Sequence, residues 1–284
     1  MSPTATSLEV HPVAGALGAE IRGLDLSQKL PDETADAVLS ALYEHKVIFF
    51  RDQRLTPEQQ IGFSERLGPI FMDHPAYLPL LDGHPEVVVL DGQNGGRANL
   101  WHSDVSISPK PPMGSVLYMK HSPEYGGDTM WADMSAAYDA LSDRMKAYLE
   151  GLSARHDLAG TVRNVVRERS QATKSPTGEM PDTMALPHAI HPVVRTHPVT
   201  GRKILYVNPT FTAHLEGLPA SEADAVLAYL YEHQDQPEFQ CRWRWRTGDV
   251  AVWDNRATHH YAIADYGDES RVIHRVTLEG EAPC

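Results

Sequence analysis

The chain has 284 residues, 42% hydrophobic and 22% charged, with a formal net charge of −13 at pH 7, so a packed core is expected. That acidic balance, without any lysine- or arginine-rich run, argues against nucleic-acid and anionic-membrane partners. The two cysteines, Cys241 and Cys284, lie in no CxxC spacing, which argues against a disulfide framework or zinc knuckle and makes a reducing cytoplasm the expected compartment.

The N-terminal MSPTATSLEVHPVAG lacks the basic start and apolar stretch of a secretory signal. GAEIRGLDLS (18–27) reads as a short strand and turn. Asp32 opens a helical pattern in which Ala35, Val38, Leu39, Leu42 and Tyr43 share one face. VIFF (47–50) follows as a buried strand, and it falls far short of a membrane span. Thr56-Pro57-Glu58-Gln59 is a capping box with proline at the first helical position, and Gly68 is the expected stop. From about 86 to 132, PEVVVLD, SVLYMKH and GDTMWA read as strands. Ser135 to Leu149 reads as a helix interrupted at Ser142 and stopped at Gly151. The polar stretch at about 159–190 reads as a long loop and a candidate lid. KILYVN (203–208) is a strand, Ser221 to His233 an amphipathic helix, and FQCRWRW, GDVAVW and RVIHRVTL are strands. The sum is a single domain over 1–284, mainly β with flanking helices (α+β), with a double-stranded β-helix (jelly roll) core.

NLWHSDVS (99–106) holds His102 and Asp104 two residues apart, on one face of an extended segment. An imidazole and a carboxylate there can reach one metal ion. A third ligand would complete the two-histidine, one-carboxylate triad of non-haem Fe(II). WDNRATHHYA (253–262) offers His259 or His260, which point to opposite faces, and spacing alone does not choose. In RVIHRVTL, Arg271, Ile273, Arg275 and Thr277 share a face. The two arginines stand roughly 13 Å apart, suited to two separate carboxylate- or sulfonate-type anions.

Together HSD, GGDT (126–129), WDNRATHHYA and DYGDESRVIHRVTL resemble the taurine dioxygenase family of Fe(II)/2-oxoglutarate-dependent oxygenases. The likeness starts at GAEIRGLDL, runs through KVIFFRDQRLTPEQQIGFSERLG and HPVVRTHPVTGRKILYVNP, and covers nearly the whole chain. It implies that the ligand histidine is the one before Tyr-Ala. The iron ligands would then be His102, Asp104 and His260. It further implies that Arg271 and Thr129 hold the far carboxylate of 2-oxoglutarate and that Arg275 grips the anionic end of the substrate. HPAY (74–77) resembles the family's HPxY, which implies substrate contacts from His74 and Tyr77, and Phe211 matches an aromatic pocket wall.

Two departures stand out. Thr161-Val162 occupies the place of a Ser-Phe pair in the taurine enzymes, so Val162 widens the pocket. Ala98 takes the place of a substrate-touching asparagine, with Asn99 displaced by one residue. The resemblance implies an oxidoreductase using Fe(II), 2-oxoglutarate and O2, and a homo-oligomer. The expected substrate is taurine or a related alkyl sulfonate, giving sulfite, succinate and CO2. The alternative is an alkyl sulfate or a carboxylate such as an aryloxyalkanoate. A zinc hydrolase on the same three ligands leaves Arg271 without a role, and a jelly-roll binding protein needs no metal.

Overall fold

The computed structural model describes residues 8–74, 78–92, 98–158 and 187–284. Chain order gives β1 (Glu9–Pro12), β2 (Ala19–Arg22), α1 (Asp32–His45), β3 (Val47–Phe50), α2 (Pro57–Glu65), β4 (Leu80–Leu81), β5 (His84–Asp91), β6 (Gly114–His121) and β7 (Thr129–Asp133). Next come α3 (Met134–Asp139), α4 (Asp143–Leu149), β8 (Ser153–Asp157), β9 (His188–Pro192), β10 (Val194–Thr196), β11 (Lys203–Leu205) and β12 (Thr212–Leu215). The last elements are α5 (Ala220–Gln234), β13 (Gln240–Trp243), β14 (Val250–Asp254), β15 (Thr258–Ala262) and β16 (Val272–Leu278).

An eight-stranded sheet in the order β1-β2-β3-β14-β6-β16-β5-β4 faces a three-stranded sheet in the order β13-β7-β15. Between them lies an aromatic-rich core of Val47, Phe49, Leu117, Met119, Trp131, Trp243, Trp245, Trp253 and Ile273. The outer face of the large sheet is also covered. Ile48, Phe50, Val116, Val252 and Leu278 pack there against Val38 and Leu42 of α1 and against Phe63 of α2. VIFF is therefore buried on both faces, which is why it reads as an unbroken apolar run. A second three-stranded sheet, β12-β8-β9, shares a core with α5 through Ala154, Leu215, Leu227 and Leu230.

The double-stranded β-helix expectation holds, and most predicted elements lie where the pattern put them. The capping box at Thr56 forms in full, with Thr56 N–H on Gln59 Oε1 at 2.8 Å. Its helix ends at Glu65, short of Gly68, whose N–H closes the following turn on Ser64 O at 3.3 Å. Ser142 breaks the 134–149 region into α3 and α4 by capping the second, accepting from Met145 N–H. The strand expected over 203–208 stops at Leu205. The expected 159–190 loop is shorter at its far end, because His188 already begins β9, paired antiparallel with β8. Residues 159–186, and with them Thr161 and Val162, lie outside the described residues, as does Tyr77. No helix among the described residues is long and apolar enough to cross a membrane.

Candidate metal centre

β15 pairs with β7 so that His260 lies opposite Trp131, and Ala262 opposite Thr129. Directly opposed residues share a face. Trp131 belongs to the core between the two sheets, so His260 faces that interior. His259 lies opposite Ala132 on the other face, among residues that pack on α3 and β11. It is 1% exposed, with neither ring nitrogen bonded among the described residues. Burial, with His102 adding to it, pushes its pKa down to about 3. It is a neutral core histidine.

His102 joins the end of this small sheet through a two-way backbone bridge to His260, with N–H···O distances of 3.1 and 2.8 Å. The bridge sets the two imidazoles side by side, ring centroids 4.1 Å apart. His102 Nδ1 bonds the Leu100 carbonyl at 2.7 Å, which makes Nδ1 the donor and leaves the Nε2 lone pair free. The Asp104 Oδ1 atom lies 3.6 Å from His102 Nε2 and 3.8 Å from His260 Nε2. One ligand atom from each of the three residues falls within 4.8 Å of the others, and all three residues are buried. Burial opposes the charge on Asp104, yet Arg275, His260 and His102 hold its carboxyl well below the usual carboxylate range. Burial and His102 push His260 well below the ordinary imidazole value. Two imidazoles and one carboxylate converging on one point form the donor set that suits non-haem Fe(II).

Asn255, to which the sequence reading assigned no role, holds this arrangement. Its amide accepts from Asp104 N–H at 2.7 Å and donates to Asp104 O and Pro112 O at 3.0 Å each. Ser103 Oγ donates to the Asn255 backbone carbonyl at 2.9 Å. The clamp acts on a strained turn, because Val105 has φ 51, a left-handed conformation costly for a β-branched residue.

Arg271 is buried beside the GGDT turn. Its Nε donates to Gly127 O at 2.9 Å and its Nη2 to Thr129 Oγ1 at 3.2 Å. Gly126 and Gly127 both have positive φ, and a Cβ on Gly126 would sit 2.5 Å from Asp265 Oδ1, so the turn demands glycine. No carboxylate makes an ion pair with Arg271 among the described residues, and burial depresses its pKa. A buried guanidinium with no carboxylate in ion-pair contact among the described residues calls for an anion.

Arg275 projects inward from β16, its Nη1 3.3 Å from Asp104 Oδ2, while its buried Nε has no partner among the described residues. His74 is close enough that Arg275 adds to burial in lowering its pKa, and its Nε2 is also buried and unbonded among the described residues. Phe211 stands edge-on to His102, ring centroids 6.2 Å apart. The fold thus brings His102, Asp104, His260, Arg275, His74 and Phe211 together, with Thr129 and Arg271 paired along the same interior face.

A profile described as "Taurine catabolism dioxygenase TauD, TfdA family" matches residues 9–277. The chain is 41% identical over 284 residues to an alpha-ketoglutarate-dependent sulfate ester dioxygenase of Pseudomonas putida, covering 99% of this chain and 93% of that one. It is 40% identical to an alkylsulfatase of Acinetobacter baylyi, covering 96% and 86% respectively. A solved taurine dioxygenase from Burkholderia xenovorans superposes with a TM-score of 0.82 at 36% identity, covering 98% of this chain and 92% of that chain. A second structure, AAD-2 in complex with Mn(II) and N-oxalylglycine, gives a TM-score of 0.79 at 29% identity over 98% of this chain and 99% of that chain. This chain belongs to the TauD/TfdA dioxygenase family.

Proposed function

We propose that the protein is an Fe(II)- and 2-oxoglutarate-dependent dioxygenase that hydroxylates a small organic anion, an alkyl sulfonate such as taurine or an alkyl sulfate ester. The observation that carries this reading is the pairing of one three-ligand cluster with two separate buried guanidiniums, Arg275 on β16 and Arg271 just before it. His102, Asp104 and His260 would hold the iron. Arg271 and Thr129 would hold the far carboxylate of 2-oxoglutarate. When bound, iron with 2-oxoglutarate and O2 supplies the oxidant, and 2-oxoglutarate leaves as succinate and CO2.

The chain's own residues then decide which C–H bond reacts. Arg275 and His74 each carry a buried nitrogen with no partner among the described residues, a fit for sulfonate or sulfate oxygens. Anchoring that head fixes the neighbouring carbon toward the metal, which is an orientation effect. Phe211 gives that carbon an apolar wall and excludes water. Hydroxylation at a carbon bearing sulfonate collapses to an aldehyde and sulfite. The same event beside a sulfate ester oxygen gives an aldehyde and sulfate.

The sulfate ester reading gains weight from the two relatives near 40% identity. It also fits Met72 and Leu100, each two residues from a site residue and each heavily exposed, where an alkyl chain leaving the pocket would meet apolar surface. The test is an aerobic assay with Fe(II), ascorbate and 2-oxoglutarate, offered taurine, a longer alkyl sulfonate and an alkyl sulfate. Substrate-dependent succinate, matched by sulfite or by sulfate, establishes the class and chooses the head group. Succinate formation that ignores all three anions would sink the sulfur-anion reading, and no succinate at all from iron-loaded protein would sink the dioxygenase reading.

A further inference from the structure

Thr129 stands where two donors meet. Its Oγ1 receives the Trp245 indole N–H at 2.9 Å and an Arg271 Nη2 hydrogen at 3.2 Å. A hydroxyl oxygen has two acceptor lone pairs and one donor hydrogen. Both lone pairs are occupied. Neither indole N–H nor guanidinium offers an acceptor, so the hydroxyl hydrogen cannot turn back onto either neighbour. It must donate elsewhere.

We propose that Trp245 is a positioning residue for the co-substrate, fixing the Thr129 hydroxyl as a donor to the far carboxylate of 2-oxoglutarate. The proposal rests on the reading that Arg271 and Thr129 hold that carboxylate. With Trp245 in place, Thr129 and Arg271 offer hydrogen-bond donors at this end of the site. It suits a carboxylate and rejects an amide or other head that must donate. A threonine without its indole partner would be free to rotate, and part of the binding energy would go to ordering it.

Trp245 is built for this role by the period-two pattern of RWRWR. Arg242, Arg244 and Arg246 are exposed, while Trp243 and Trp245 are buried in the inter-sheet core. Trp243 pairs with Thr129 across β13 and β7, and Trp245 lies just past the strand end, where its indole reaches the Thr129 side chain. Other buried tryptophans of this core behave differently, since the indole nitrogens of Trp131 and Trp253 have no partner among the described residues.

The experiment is a double-mutant cycle read by calorimetric titration of 2-oxoglutarate into Mn(II)-loaded protein without O2. Thr129→Val should weaken 2-oxoglutarate binding about 10-fold, and Trp245→Phe about 5-fold, each within the net scale of one ordinary hydrogen bond. In the Thr129→Val background, Trp245→Phe should change the dissociation constant by less than about 2-fold, because its effect passes through the hydroxyl. Thr129→Ser keeps the hydroxyl and should restore the Trp245→Phe penalty. A Trp245→Phe effect of equal size with and without the hydroxyl would overturn the proposal, as would no effect in the unaltered background. If Thr129→Val itself leaves binding unchanged, the carboxylate-holding reading fails, and this proposal with it. Should Trp245→Phe not fold, proton NMR of the otherwise unaltered protein decides. The Trp245 indole proton should be protected from exchange and should shift in Thr129→Val, and an indole indifferent to that change would overturn the proposal.

Discussion

At the residue scale, Asn255 shows how one amide joins two segments about 150 positions apart, satisfying backbone groups on both sides of Asp104. Removing it frees a strained turn next to a ligand. Asn255→Ala should therefore weaken metal binding by about 10-fold, the usual scale for a group that orients a ligand. Competition with a chelator measures this, and an unchanged affinity would show that Asp104 is held by other means. Arg271 and Arg275 should separate cleanly. Arg275→Ala should raise the substrate KM by about 10- to 100-fold, the range for hydrogen bonds to a charged group, and leave 2-oxoglutarate affinity within about 2-fold. Arg271→Ala should do the reverse. Equal losses of both affinities in either variant would contradict separate roles. His102, Asp104 and both arginines stood out as candidates from spacing and type, and only the resemblance gave them roles. Asn255 and Trp245 were in view within quoted motifs, but nothing local marks an amide or an indole as the partner of a residue more than 100 positions away.

At the element scale, β14 is the support on which the ligand segment rests. It lies between β3 and β6, buried along its whole length, and leads directly into Asn255. Gly114 opposes Asp254 in this pairing, and a Cβ there would lie 2.4 Å from Trp253 O. Gly114→Ala should push β6 from β14 and cost about 1–3 kcal/mol, as overpacking does. Urea unfolding measures this, and a midpoint equal to that of the unaltered protein would contradict so tight a junction. Elements with strong local signals were readable, as the capping box at Thr56 and the break at Ser142 show. Boundaries set by pairing partners were not. The strand at 203–205 stops where its antiparallel partner β10 begins, Leu205 lying opposite Val194, which no property of Tyr206-Val207-Asn208 announces.

At the scale of the whole molecule, folding carries several histidines into the interior uncharged. His156 is fully buried, and burial, reinforced by His191 and His259, lowers its pKa from 6.5 to about 3. Between those two values the unfolded chain binds a proton that the fold refuses. Stability from this group is complete above about pH 6.5 and is lost as pH falls toward 3. The thermal midpoint should therefore decline on acidification through this window, and His156→Asn should flatten the decline. An equally steep decline in that variant would assign acid sensitivity to other groups. The chain order of motifs, the alternation in RVIHRVTL and the metal-ligating types in HSD and HHYA were fixed by covalent sequence and strand geometry alone. The choice of His260 over His259 could be read only from resemblance, since neighbours on a strand differ by face and a face acquires meaning only from what packs on it. The tertiary structure supplies the physical ground for that reading. The register of β15 on β7 sets His260 against Trp131 in the inter-sheet core, and the bridge from His102 brings the remaining ligands to the same point.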